Sequence, residues 1–214
     1  MIARLWIVFG IALVLATSGG HVQAHGFNVG FMAPLSGPSA HQGQQALNGF
    51  LLATRERDGH ALEESDGHLG GLDSYVIRID SSRGAEAVRG QLDELFDGDG
   101  IVFLTGVSVP DALSAAGIMP DNHQSILVDP VDSAVYRSAA CALESLVTMD
   151  DMPFSAAFRE VYGYEPDIYA IGGYVAARFI AAAVSAVEGR FSQRDALHRA
   201  LVQARDSQVL RPGS

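Results

Sequence analysis

The sequence contains no lysine: its 14 basic residues are all arginines, set against 25 acids for a formal charge of −11. Such a field repels nucleic acid and anionic lipid, and the arginines are scattered rather than gathered into a patch, so functions that work by neutralising phosphates are excluded. A single cysteine, Cys141, leaves no internal disulfide to form and excludes a disulfide-held scaffold. Its neighbours Ala139, Ala140, Ala142 and Leu143 favour a buried, inert side chain over a reactive thiol. Charged residues make up only 18% of the chain against 48% hydrophobic, which excludes a disordered segment. No Gly-x-Ser-x-Gly elbow occurs, no catalytic nucleophile is assigned, and no cofactor is expected. An enzyme is the least supported class, and the 214 residues suit one good-sized packed domain.

What is present begins with an address. Arg4 opens a short basic start, Leu5 to Ala16 is apolar, Thr17 to Gly20 is small and polar, and Val22-Gln23-Ala24 is a small-x-small cleavage site. The apolar stretch is about 12 residues long where a membrane span needs ~20, so residues 1–24 are expected to be a cleavable secretory signal peptide. Cleavage would start the mature chain at His25 and remove Arg4, leaving 13 bases against 25 acids, a charge of −12. No cysteine lies near the cut to carry a lipid, so a soluble periplasmic product is expected.

The mature region repeats strand, turn, helix. Phe27 to Met32 is an apolar run stopped by the Pro/Gly cluster from Ala33 to Pro38. From Ala40 to about Arg57, Leu47, Phe50, Leu51 and Thr54 recur at helical spacing, with Gln44, Gln45, Asn48 and Arg55 on the opposite side. Tyr75, Ile77 and Ile79 alternate in a strand ending at Asp80, and Val88, Leu92, Leu95 and Phe96 stripe the helix that follows. Ile101 to Leu104 reads as a strand buried on both faces, leading through Thr105 to Pro110 into a short helix near Asp111. Ser125 to Val128 is a fourth run, stopped by Asp129-Pro130. This alternation predicts an α/β fold, a doubly wound parallel sheet flanked by helices. In such a sheet the loops leaving the carboxyl ends of the strands share one edge, and ligands bind there. The four loops at 33–39, 80–84, 105–110 and 129–133 are therefore expected to converge. Capping and turning explain any one of them; four in register favour a binding edge.

Asn28 to Ala40, with Gly43 and Gly49 after it, resembles the opening of periplasmic solute-binding proteins of the branched-chain amino-acid (Leu/Ile/Val-binding) type. Tyr75 to Asp80 and Thr105-Gly106-Val107-Ser108 are similar to the next landmarks of that family's first lobe. Phe158 to Asp167, Tyr169 and Gly173 to Ala177 are similar to its late helical segment, and Ala181 to Val187, Asp195 to Leu197 and Ala200-Leu201 continue the likeness. The resemblance implies two α/β lobes with the solute trapped between them. Here Ile126 to Pro153 leads almost directly into the late helices and the chain stops at Ser214, so one lobe is expected. In that reading residues 25–149 supply the sheet units and residues 150–214 the helices packed back on them.

Carried over position by position, the resemblance implies a ligand edge made of Leu35, Ser36 and Gly37 in the first loop, Gly106, Val107 and Ser108 in the third, and Asp129 in the fourth. Val109-Pro110 stands where the family continues with a hydroxyl residue, and Asp129 where a serine or threonine is more usual. An acid there repels a carboxylate. The implied function is solute binding for an ABC-type importer of amino acids or small carboxylates, with an ABC permease or another periplasmic protein as partner. Without an opposing lobe, binding is expected to be weak, since clamshell closure supplies most of a small ligand's burial. The alternative is an interaction or sensor module that uses the same scaffold against another exported protein.

A metal site is the third reading. Asp58-Gly59-His60 and Asp66-Gly67-His68 repeat within an acidic loop, and His25 would offer an amine and an imidazole after cleavage. The spacing matches no closed zinc pattern, and a solvated insertion is the favoured account of the loop. The helix Ile168 to Val187 is apolar enough to suggest a membrane span, but Arg178 and the tyrosines at 169 and 174 favour a buried helix covering the sheet.

Overall fold

The computed structural model describes residues 25–56, 64–97, 100, 102–119, 125–130, 136–137, 146–148 and 151–206. In chain order these form β1 (Gly26–Ala33), α1 (Ala40–Arg55), β2 (His68–Leu69), β3 (Leu72–Asp80), a 3-10 turn (Ser81–Arg83), α2 (Ala85–Asp97), β4 (Phe103–Gly106), α3 (Val109–Ala115), β5 (Ile126–Leu127), α4 (Phe154–Tyr162), α5 (Ile168–Ala186) and α6 (Arg194–Asp206). The leader, Asp58, His60 and Cys141 lie outside the described residues.

The strands make one five-stranded sheet in the order β2-β3-β1-β4-β5, parallel throughout except for β2. From β1 the chain winds first to β3 on one side and then, through α2, to β4 on the other. The winding reverses between β1 and β4, which opens a crevice at their carboxyl ends. Because side chains alternate along a strand, each face gathers its own core. Phe27, Val29, Phe31 and Ala33 of β1 join Val76, Phe103 and Ile126 under α1, α5 and α6. Met32, Ile79 and Leu104 face the other way, against Val88 and Leu92 of α2 and Val109 and Leu113 of α3. The predicted doubly wound sheet with helices on both faces is therefore observed.

The larger core depends on a close helix crossing. A Cβ on Gly49 of α1 would lie 1.9 Å from the Ala170 carbonyl oxygen, and one on Gly173 of α5 would lie 1.8 Å from that of Ala46. Only hydrogen at both positions lets the two backbones approach this far. Helix α5 is the one described helix long and apolar enough to cross a membrane. Here it is a core helix, with Ala170, Tyr174, Val175, Ala177, Ile180 and Val184 buried. Its polar residues are absorbed locally: the Arg178 guanidinium donates to the Tyr174 hydroxyl (2.9 Å), which donates to Glu56 Oε1 (2.5 Å).

Three expectations need correction. The strand drawn at 101–104 runs Phe103–Gly106, so Thr105 and Gly106 belong to the sheet and not to the loop. The segment around Asp66 is no solvated insertion. Its backbone and carboxylate are tied to Thr54 and to Val76 N (2.8 Å from Asp66 Oδ2), and it leads into β2, the antiparallel edge strand. Finally, the polar side of α1 does not simply face water. Gln45 and Asn48 are buried there, where Gln45 Nε2 donates to the Glu165 carbonyl (3.0 Å) and Asn48 Nδ2 to the Tyr164 hydroxyl (2.6 Å). Alternation of polar and apolar residues locates a helix face but does not say what covers it.

Candidate functional site

Strand register brings the predicted loops to one edge: Ala33 is paired with Asp80, Met32 with Gly106, and Leu104 with Leu127. The loops meet in two pairs. At the β1/β3 end, Asp80 Oδ1 accepts from the amides of Leu35 (2.9 Å) and Ser82 (3.0 Å). Burial pushes the Asp80 carboxyl upward, but hydrogen bonds from the Ser36 hydroxyl and from the Leu35, Ser82 and Ser36 amides outweigh it and hold the group below the ordinary aspartate range. At the β4/β5 end, the buried Thr105 hydroxyl donates to the Val128 carbonyl (2.7 Å).

Between β4, β5 and the start of α5 lies a cavity of about 300 Å³. Its floor is apolar, with Ala46, Val109, Val128 and Gly173 all buried. Tyr136 and Tyr169 are half-buried walls, Gly172 leaves room between them and the helix, and Ser108, Asp111, Asp129 and Ile168 form an exposed rim. Gly106 is fixed by geometry: its φ is +143° and a Cβ would lie 1.8 Å from the Met32 carbonyl oxygen. Ser108, among the lining residues, holds the left-handed conformation (φ 51°) at the start of α3, and its hydroxyl makes no capping bond. Tyr136 is pushed above the ordinary tyrosine value chiefly by burial, with smaller contributions from Tyr169, Asp129 and Asp167.

Of the residues expected at the ligand edge, Gly106, Val107, Ser108 and Asp129 line this cavity. Leu35, Ser36 and Gly37 do not; they sit at the neighbouring β1/β3 end, held by Asp80. Sequence reasoning passed over Tyr136, Ile168, Tyr169, Gly172 and Asp111 as site residues, and Asp80 as the residue that positions the first loop. Asp80 carried a signal, an acid closing a strand, whereas Tyr136 carried none. Of the metal candidates, Asp66 is held by Val76 N and faces Arg78 (3.5 Å), and His68 Nε2 pairs with Asp73 (2.9 Å). His25 is exposed, and among the described residues no three potential ligands come together. A second groove, of about 250 Å³, runs along β5 beside α6, lined by Ile126, Phe179, His198, Leu201 and Arg205 among others. It also reaches Val128 and Asp129 just past β5, which it shares with the first cavity.

The doubly wound sheet flanked by helices is a fold shared with solved structures. The chain aligns with the ABC transporter substrate-binding protein from Sphaerobacter thermophilus at a TM-score of 0.59 and 14% identity, over 82% of this chain and 85% of that one. The fold is that of ABC-transporter solute-binding proteins. A second structure, the solute-binding protein of an ABC transporter from R. palustris in complex with benzoate, aligns at a TM-score of 0.56 and 14% identity, over 87% and 91% of the two chains. Both neighbours with the solute-binding-protein fold are named as binding proteins and not as enzymes. No family model and no curated protein matches the sequence.

Proposed function

We propose that the chain is the solute-binding component of an ABC-type import system, exported to the periplasm through residues 1–24 and handing a small organic molecule to a permease. The observation that carries this reading is the position of the cavity. It lies at the carboxyl ends of β4 and β5, beside the reversal of winding between β1 and β4, along the edge where open α/β sheets bind ligands. The solute-binding-protein fold of both structural neighbours supports it. Read as one lobe, the described residues offer the solute a floor and two walls, and binding on that lobe is weaker than in a closed clamshell.

Differential scanning fluorimetry of the mature chain with amino acids, amines and small carboxylates tests the reading. A solute at about 100 times its Kd stabilises by ~2.7 kcal/mol, which raises Tm by roughly 5–10 °C at this size. At least one solute class is expected to do so. A flat response to every class withdraws the proposal.

A further inference from the structure

We infer that Gln45 is a positioning residue of the solute site: its side-chain amide fastens the chain on both sides of Pro166 and so sets the first turn of α5, which carries a wall of the cavity. The inference rests on the solute-binding reading above and names a residue that serves the cavity without lining it. Ile168 and Tyr169, which do line it, belong to that first turn. A terminal turn is the part of a helix that frays most readily, because its outer N–H groups have no partners within the helix. The glycine crossing does not cure this. Its close approaches fall at Ala170 and Gly173, after both wall residues, and a close approach limits how near two backbones come without tying them together.

Gln45 supplies the tie. Its side chain is buried, Nε2 donates to the Glu165 carbonyl (3.0 Å), and Oε1 accepts from the Asp167 amide (3.3 Å). Turning the amide over would set oxygen against oxygen and N–H against N–H, so one orientation satisfies both groups. Pro166 between them has no N–H to offer, and one side chain therefore holds the peptide groups that flank it, as a neighbouring strand would. Asp167 passes the constraint on to the helix. Its carboxylate accepts from the amides of Tyr169 (2.8 Å) and Ala170 (3.2 Å), and its carbonyl from that of Ile171 (3.2 Å). His41, one turn before Gln45 on the same face of α1, stands 3.5 Å from the second oxygen of that carboxylate. Ala46, the residue after Gln45, is part of the cavity floor, so two consecutive positions of α1 set floor and wall against each other.

The test compares Gln45→Met, which keeps the length of the side chain and removes both bonds, with Ser74→Ala. The latter removes a buried hydrogen bond to the Gly67 carbonyl (2.8 Å) near the amino end of β3, at the opposite end of the sheet from the cavity. Benzoate, benzylamine and phenylalanine are titrated by calorimetry into each mature protein, well below every Tm so that the unfolded fraction does not enter the apparent Kd. For a probe that binds the wild type, Gln45→Met should weaken binding about tenfold and Ser74→Ala by less than about twofold, although both lower Tm. Gln45→Asn, too short to reach both peptide groups, should weaken binding by at least about threefold and carries the comparison if Gln45→Met does not fold. Gln45 variants that bind within about threefold of wild type, or a Ser74→Ala protein that loses as much affinity as they do, overturn the positioning role and leave the solute-binding reading standing. Binding of none of the three probes by the wild-type protein overturns both.

Discussion

Two adjacent glycines in α5 should respond in opposite ways to the same added methyl group. A Cβ at residue 173 would lie 1.8 Å from the Ala46 carbonyl oxygen and 3.0 Å from the Phe50 amide nitrogen, both backbone atoms of α1. Ordinary contact requires the helices to part by roughly 1.5 Å, and a gap of that order forfeits much of the dispersion energy along the crossing. The Gly49 contact on the same crossing leaves no slack, since its Cβ position is 1.9 Å from the Ala170 oxygen. Overpacking of this kind costs about 1–3 kcal/mol and sometimes more, against ~1 kcal/mol returned by alanine's helix propensity. Gly173→Ala is therefore expected to destabilise by a net of about 1–2 kcal/mol and lower Tm by roughly 2–8 °C. At residue 172 the Cβ would meet only Tyr136 Cε2, at 3.5 Å, an ordinary contact. Gly172→Ala should thus keep or raise stability, by up to ~1 kcal/mol. The same methyl projects beside the cavity wall and should weaken solute binding. Urea and thermal unfolding followed by far-UV circular dichroism read both variants. A Gly173→Ala protein as stable as wild type, or a Gly172→Ala protein that loses as much as its neighbour, would refute the packing argument and with it the placement of α5 against α1.

Two further perturbations test other joints of the structure. Arg178 and Glu56 have side chains only 14% and 5% exposed, and they meet at 3.7 Å beside the buried Tyr174 hydroxyl. Arg178→Met takes the guanidinium away from the buried Glu56 carboxylate, which keeps the Tyr174 hydroxyl as donor, and should cost about 3 kcal/mol in urea unfolding, most of it recovered when Glu56→Gln is added; a neutral single variant would count against a charged pair. Asp80, with its folded value below the unfolded ~3.9, contributes stability that is complete above that value and is lost as pH falls through the lower folded one. Asp80→Asn should therefore cost about 1 kcal/mol near neutral pH, with the difference from wild type closing below about pH 4 in paired urea titrations; a difference that does not change with pH would place the Asp80 charge outside the loop's stability.

Much of the fold was legible because the two periods that define it are local. The alternation of Tyr75, Ile77 and Ile79 and the stripe of Val88, Leu92, Leu95 and Phe96 name a strand and a helix without reference to anything distant. The order strand-helix-strand then leaves a parallel sheet as the economical answer, and the carboxyl edge follows from it. Asp66 and His68 read as a solvated, acidic repeat because their partners, Val76 and Asp73, belong to a strand whose pairing no local pattern announces. Gln45 and Asn48 read as a wet face for the same reason: Tyr164 and Glu165, which cover them, come more than 100 residues later.

The site divides along the same line. Gly106, Val107, Ser108 and Asp129 were reachable from sequence because each lies at or just past the end of a strand, and strand ends are fixed by local chemistry. Tyr136, Tyr169 and Gly172 join them only because α5 is drawn against α1 through two glycines, which sets the start of α5 over the β4 and β5 loops. By itself the sequence determined the elements, the sheet they make, the edge where its loops gather and the surplus of acid. Tertiary packing decided which loops share a cavity, since backbone approach and cavity volume are set by contacts between residues far apart in the chain.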